Sequence, residues 1–356
     1  MNGGYIPINK GNYDMDTDER IEQFELNRAE GWEEDYRKYR ENWSKYPRQQ
    51  YVSDYPILVD IELSSLCNLK CPMCYTITEE FKKKVCTQLM DTKLFQKLAD
   101  EMAGKVSAVR LSLRGEATLH PDFISCIRYC KDKGIREVSF LTNSAKLNRE
   151  YFIQAAEAGA DWITISIDGV GKQYEDIRKP LKFEDTLKKI KDIYSIKKKN
   201  KWNKPVIKVQ GIWPAIRDNP SEYYNTFAPY VDLVAFNPLI DYLDKDEDIV
   251  YDEDFICPQL YQRLVIGSDG KALLCSNDEE GNYILGDANN ESIYDIWHGE
   301  RMNRARKLHA MGSFKEMEVC RKCYLPRATQ DDERAFVNGR EIIIKNYINR
   351  NQTIGK

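Results

Sequence analysis

Apolar residues recur along the chain with two periods. YPILVDIELSSL (55–66), SAVRLSL (107–113), REVSFLTN (136–143), WITISIDG (162–169), VIKVQGI (206–212) and VDLVAF (231–236) are short apolar or alternating runs. β-branched runs bounded by turn formers predict strands, here near 57–63, 107–113, 137–142, 162–167, 206–212 and 231–236. Between them the spacing turns helical, as in DTKLFQKLADEM (91–102) and FEDTLKKIKDIYSIKK (183–198). Alternating β and α units predict an α/β fold, a partial (β/α)6 barrel. Right-handed crossovers would put every strand's C-terminal end on one face. No dinucleotide fingerprint or P-loop competes.

Outside this region the pattern changes. Residues 14–48 are polar and charged with interleaved Tyr and Trp, and predict one or two helices on the barrel's outside or over its open edge. DYLDKDEDIVYDED (241–254) is acidic and reads as a solvated linker, though it could also repel anions or bind a cationic substrate. IGSDGKALLC predicts a hairpin turned by Asp269-Gly270. The expected organisation is a charged helical extension (1–50), the barrel (51–240), an acidic linker (241–256), a small α+β domain (257–326) and a tail or helix (327–356).

Composition narrows the function. The 356 residues are 42% hydrophobic and 31% charged, with a net charge of -4. That balance gives no field for nucleic acid, and KKIKDIYSIKKKNKWNK reads as a solvated helix end. With no apolar signal region and no run of membrane-spanning length, a cytoplasmic protein without membrane partners is expected. Ten cysteines then point to metal or redox work.

Three of these cysteines lie in CNLKCPMC, at Cys67, Cys71 and Cys74, just after the first strand. Ligands of parallel α/β folds bind at that end. Zinc would need a fourth ligand close by, and the nearest candidates are Cys86 and His120. A [4Fe–4S] cluster held by three thiolates keeps one iron open. Cys257, Cys275, Cys320 and Cys323 form a complete set of four, for a second cluster or a structural zinc. Cys126 and Cys130, four apart in FISCIRYCKDKG, read as buried helix thiols. Cys86 is either packing or a hydrogen-atom donor to a substrate radical.

Over about residues 57–325 these motifs resemble the radical S-adenosylmethionine (SAM) superfamily, followed by a Twitch/SPASM-like auxiliary cluster domain. The second part of the resemblance rests on Gly270 to Cys275 and on ILGDANNESIYDIWHGERMNRAR. No cysteine follows Cys323, which implies one auxiliary cluster. The implied cofactors are SAM and two [4Fe–4S] clusters, the open iron chelating SAM's amino and carboxylate groups. Met73 is the usual bulky residue before the third cysteine. Arg114-Gly115-Glu116-Ala117 is similar to the family's Gly-Gly-Glu-Pro turn, so Gly115 and Glu116 would hold the amino group; otherwise Glu116 is an acid at a helix start. Asn143, before Ser144 in a Thr-Asn-Gly-like turn, would sit at the site mouth or stabilise the turn. Ser166 and Arg178 match residues that bind the SAM carboxylate, a role suited to a forked guanidinium; otherwise Arg178 is a surface arginine. Gly211 and Ile212 match an adenine-lining position, or pack the core. Arg114, Asp168 and Lys208 are further polar strand-end candidates without assigned roles.

The resemblance implies reductive SAM cleavage to a 5′-deoxyadenosyl radical and hydrogen abstraction from an unactivated C–H. The expected outcome is oxidation or epimerisation of a sugar, an aminocyclitol or another small polar substrate, with a flavodoxin or ferredoxin-type reductant. Modification of a ribosomal peptide and a non-enzymatic iron–sulfur carrier are the alternatives.

Overall fold

The computed structural model describes residues 6, 13–238, 248–349 and 354. Six parallel strands form the barrel, β2 (Leu58–Ile61), β3 (Ala108–Arg110), β4 (Glu137–Thr142), β5 (Trp162–Ser166), β6 (Val206–Ile212) and β7 (Leu233–Asn237). All six lie where the periodicity places them. The helices between them bury regular faces. Thr92–Met102 is capped by Asp91, whose carboxylate accepts from the amides of Lys93 and Leu94. Phe183–Asn200 buries Phe183, Thr186, Ile190, Ile193 and Ile196.

Side chains alternate across a strand, and here the apolar set points outward. Val59, Val109, Val138, Ile163, Ile165, Ile207, Val209 and Val234 pack with the helices in the main core. The opposite set, including Arg110, Ser139, Thr164, Lys208 and Gln210, lines the lumen. A barrel filled for stability alone would reverse this polarity at its centre.

The sheet extends beyond the barrel on both sides. Its order is β1-β7-β6-β5-β4-β3-β2-β8-β9-β10, ten strands in all, with β1 at Tyr13–Asp14, β8 at Arg263–Ile266, β9 at Lys271–Leu273 and β10 at Ile284–Asp287. β1 runs antiparallel to β7 and brings Asp14 opposite Ala235. β8 runs parallel to β2, Leu58 opposite Arg263, so the C-terminal unit grows directly from the barrel edge. The β8–β9 hairpin turns at Gly267–Gly270, with Gly270 at φ +84°, a conformation open to glycine.

Three expectations on the flanks are corrected or left open. The N-terminal helices α1 (Asp18–Ala29) and α2 (Glu33–Gln49) cap the N-terminal ends of the strands instead of the outside or open edge. Their Trp32, Tyr36, Tyr39 and Trp43 pack with Ile57, Leu58 and Ala108, while Phe24 packs with Val206 and Leu233. Arg28 enters from α1 to make two hydrogen bonds to Glu137, at 2.8 and 3.0 Å. Within 327–356 the chain forms a hairpin and no helix, β11 (Thr329–Val337) against β12 (Arg340–Tyr347), turned at Asn338-Gly339. It rests on the helix Pro220–Phe227 and on the chain after β1, where Arg340 donates to the carbonyls of Met15 and Asp16. Half of the acidic stretch, residues 241–247, lies outside the described residues.

Candidate functional site

The CNLKCPMC loop leaves β2 at the C-terminal end of the barrel. Gly115 fixes its entry. A Cβ there would stand 2.5 Å from the Ser64 carbonyl oxygen and 2.6 Å from the Ser65 carbonyl carbon, both backbone atoms. The Glu116 amide, next along, donates to the Leu66 carbonyl at 2.8 Å. The glycine is therefore required by backbone packing beneath the cysteine loop, whereas the sequence suggested approach to a ligand. Gly115→Ala is expected to lose about 2 kcal/mol of stability by overpacking and most of the iron of the neighbouring site. Denaturant titration and iron analysis of the reconstituted protein check it.

Cys67 is exposed, Cys74 half-buried and Cys71 buried. Burial pushes the Cys71 thiol up to about 11 and also raises Cys67, neighbouring thiolates add to both shifts, and Arg178 opposes them. Three thiols are thus gathered where a thiolate needs a cationic partner. Among the described residues, no three His, Cys, Asp or Glu groups are preset around a single metal ion. Three sulfur donors without a fourth protein ligand fit a cluster with one open iron better than tetrahedral zinc.

Around the loop stand several of the residues named from the sequence. Glu116 is buried, and its carboxylate accepts from the Thr118 and Thr142 hydroxyls at 2.6 and 2.8 Å and from the Asn143 amide at 2.7 Å. Its bond to the Thr118 amide also caps a short 3-10 turn, the helix-start reading of Glu116. Every one of these donors is neutral. Asn143 donates to Asn68 Oδ1 at 2.8 Å, within the cysteine loop, and its own Oδ1 accepts from the Ala145 amide. It stabilises the turn and ties it to the cysteine loop. Ser144 takes φ +67°, the geometry the family's glycine would supply.

Arg178 is no surface residue. Its guanidinium donates to Asp168 Oδ2 through Nε at 2.7 Å and pairs through a terminal nitrogen at 2.6 Å. Asp168 is buried, so it orients Arg178 toward Cys71, whose thiol feels that charge. Ser166 ends β5, half-buried, opposite Gln210. Met73 is half-buried on the loop. Gly211 has a packing reason: a Cβ would fall 2.7 Å from the Ile167 carbonyl and 2.9 Å from the Tyr223 hydroxyl, which bond to each other. Ile212 follows it at the end of β6, half-buried. Cys86 is exposed and is not among the lumen-lining residues. Cys126 and Cys130 are buried in the helix Phe123–Asp132, as their spacing predicts, with burial lifting Cys126 to about 12.

The four later cysteines meet in one apolar recess with Phe255, Leu260, Leu274, Val319 and Leu325. Burial pushes Cys257 up to about 12 and Cys323 to about 11, and holds Cys275 and Cys320 well above the ordinary thiol value. A polycationic cluster core is the partner such a set lacks. His309 was not foreseen. Its Nδ1 accepts from the Cys257 amide at 3.3 Å, so the proton sits on Nε2, which faces Cys320 Sγ at 3.4 Å. Burial lowers the imidazole to about 4, keeping it neutral. The Asn277 side chain donates to Cys323 Sγ at 3.6 Å and the Leu325 amide at 3.4 Å.

The barrel lumen holds a cavity of about 670 Å³ that shares Leu325 with the four-thiol recess, while Cys67, Cys71 and Cys74 are not among its lining residues. Its walls are the inward strand residues, its floor is α1 and α2, and one side is Gln259, Gln262, Arg263, Ser276, Tyr324 and Leu325 of the C-terminal unit. Lys208 is buried in the wall; burial lowers its ammonium to about 8, with Asp14 opposing. Arg114, in place of the family's first glycine, points to the C-terminal unit. It pairs with Glu62 at 2.5 and 2.6 Å and donates to the Glu279 carbonyl at 3.3 Å.

Comparison with known proteins agrees with this geometry. The model of the radical SAM superfamily matches residues 61–209, and that of the SPASM iron–sulfur cluster-binding domain matches 257–324. Residues 61–209 are thus a radical SAM domain and residues 257–324 a SPASM-type iron–sulfur domain. The radical SAM domain implies SAM and a [4Fe–4S] cluster, and the SPASM-type domain implies auxiliary iron–sulfur binding. Fe-coproporphyrin III synthase of Methanosarcina barkeri is 29% identical over 131 residues, 36% of this chain and 31% of that protein. The chain thus spans about a third of the length of that curated relative. BtrN in complex with AdoMet and 2-DOIA has the same fold, with a TM-score of 0.52 at 16% identity over 75% of this chain and 92% of BtrN. SuiB of Streptococcus suis bound to S-adenosylmethionine gives 0.54 at 14% identity over 82% and 78%. Among the described residues no helix is long and apolar enough to cross a membrane.

Proposed function

We propose that this enzyme cleaves SAM at Cys67, Cys71 and Cys74 and uses the resulting radical to oxidise or epimerise a small, sugar-like substrate held in the barrel lumen. The observation that carries the reading is one polar cavity with a three-thiol loop at the barrel's C-terminal end and a four-thiol recess at its side. In this reading Cys257, Cys275, Cys320 and Cys323 hold one auxiliary [4Fe–4S] cluster. When bound, these groups supply one-electron chemistry, reducing SAM at the first site and taking an electron from the substrate at the second.

The chain's own residues do the positioning. Glu116 offers a carboxylate with only neutral partners to SAM's ammonium, and Asn143 ties that carboxylate to the cysteine loop. Arg178, aimed by Asp168, takes the SAM carboxylate together with Ser166. Gly211 and Ile212 stay close to the adenine side. α1 and α2 close the lumen floor and keep water from the radical. Lys208, which burial lowers to about 8, is an ammonium at pH 7 and becomes the base for the hydroxyl proton, when a carbinol becomes a carbonyl, as the pH rises past about 8. The closed floor favours a small molecule. A ribosomal peptide is the second reading, since SuiB, also solved bound to precursor peptide SuiA, shares the fold.

Anaerobic reconstitution is expected to give about eight irons per chain, and dithionite with SAM is expected to yield 5′-deoxyadenosine. With a panel of sugars and aminocyclitols in deuterated water, oxidation removes two mass units from the product, whereas epimerisation adds solvent deuterium. Failure to form 5′-deoxyadenosine would defeat the reading. His309→Phe removes a hydrogen bond to Cys320 that favours the reduced, more negative cluster, so the auxiliary potential is expected to fall. A spectroelectrochemical titration that finds the potential unchanged would remove His309 from this role.

A further inference from the structure

The lumen wall carries a charge imbalance in one place. Asp60 on β2 stands in register with Arg110 on β3, and Arg263 starts the neighbouring β8. Arg110 donates to Asp60 Oδ2 at 2.9 Å and stands 2.9 Å from Oδ1 as an ion pair without hydrogen-bond geometry, and Arg263 donates to Oδ2 at 3.2 Å. Two guanidiniums share a single, fully buried carboxylate. The other charged residues lining the cavity balance among themselves. Arg28 and Arg40 are met by Glu137 and Glu25. Lys208 and Asp14 face each other electrostatically. Among the described residues the cavity lining therefore keeps one surplus positive charge, located at Arg110 and Arg263.

Both arginines line the cavity, and the buried Nε of each, like Asp60 Oδ1 between them, has no hydrogen-bond partner among the described residues. The Arg263 guanidinium lies 5.0 Å from the Trp43 ring centre, which steadies its plane. Burial lowers Arg110, Asp60 opposes that, and Arg263 adds to the lowering, as expected of a cation pair short of one anion. A buried surplus charge is costly unless something pairs it. A monoanion restores neutrality, whereas a phosphate dianion overshoots.

We propose that Arg110 and Arg263 bind one carboxylate of the substrate, so that this enzyme acts on an acidic polyol of the sugar-acid class. The proposal rests on the lumen being the substrate site. It argues against aminocyclitols, whose ammonium would meet this surplus unfavourably. A competing use of the charge is to offset an anionic cluster near Cys257, whose thiol Arg263 also influences. Arg110, on the other side of Asp60, separates the two.

The test is calorimetric, on anaerobically reconstituted protein without SAM or reductant, so it is independent of SAM cleavage. D-glucuronate, D-glucose and glucose 6-phosphate are titrated at fixed ionic strength. Saturable binding of glucuronate over glucose and glucose 6-phosphate is expected. Arg110→Gln and Arg263→Gln are each expected to weaken glucuronate at least about tenfold, as loss of a charge-assisted hydrogen bond does. Asp60→Asn keeps both arginines and adds one net charge, and should turn the preference toward glucose 6-phosphate. The cluster absorption bands report whether each variant is folded. No glucuronate binding, equal affinity for glucose, wild-type preference for glucose 6-phosphate, or unchanged affinity in folded variants each overturns the proposal. So does an Arg263→Gln protein in which only the auxiliary potential moves.

Discussion

Replacing Cys67, Cys71 and Cys74 together by alanine is expected to abolish 5′-deoxyadenosine formation, a loss of at least about a thousandfold if the open iron supplies the electron. Iron should fall from about eight to about four per chain, because the four-thiol recess has its own ligands and packing. Burial and mutual repulsion hold the Cys67 and Cys71 thiols protonated in the metal-free loop. A cationic cluster core reverses both effects. The fold should therefore survive the substitution, with cysteine replaced on a loop between β2 and the helix Glu79–Lys84. Iron analysis, the circular dichroism of the barrel and product chromatography together separate loss of the site from loss of the fold.

The second large effect lies at the junction of barrel and C-terminal unit. Glu62, fully buried, accepts from Arg114 Nε at 2.6 Å, from the Arg114 amide at 3.2 Å and from the Ser268 amide at 3.0 Å. It ties β2, the Arg114 turn and the β8–β9 hairpin at one carboxylate. Among the described residues, Glu62→Ala leaves the buried Arg114 guanidinium the Glu279 carbonyl as its hydrogen-bond acceptor. Breaking such a pair from one side costs about 3–5 kcal/mol. Glu62→Ala/Arg114→Leu removes both charges and should recover much of that loss. Denaturant titration of the wild type, Glu62→Ala, Arg114→Leu and the double variant measures the coupling, and a double variant no better than Glu62→Ala would refute it.

Much of this was legible in the sequence, for physical reasons that differ by element. Strands such as WITIS are short, β-branched and ended by turn formers, and they declare themselves locally. The cysteine spacings show a donor set, although not which atoms face them. What stayed hidden depends on distant residues. Nothing near Arg114 indicates Glu62, and nothing near His309 indicates Cys257 and Cys320. Asp168 was noticed without a role because its partner is a helix away. Gly115 and Gly211 were singled out, but the backbone and hydroxyl that crowd them come from other segments. The Trp32, Tyr36, Tyr39 and Trp43 stripe gives a buried helix face at heptad-like spacing without saying that it faces the strand ends. Asn338-Gly339 between alternating runs is the usual sign of a two-residue hairpin turn, and reading it would have found β11 and β12.

The central claim is a vacant iron beyond Cys67, Cys71 and Cys74 that chelates SAM. Pulsed electron–nuclear double resonance on the reduced protein, given SAM with a 15N amino group and a 17O carboxylate, addresses it directly. The account predicts hyperfine coupling from both labels, lost in the triple cysteine variant and retained when the four later cysteines are replaced. A reduced cluster that shows neither coupling with SAM bound, or a first site filled by zinc with a fourth protein ligand, would contradict it.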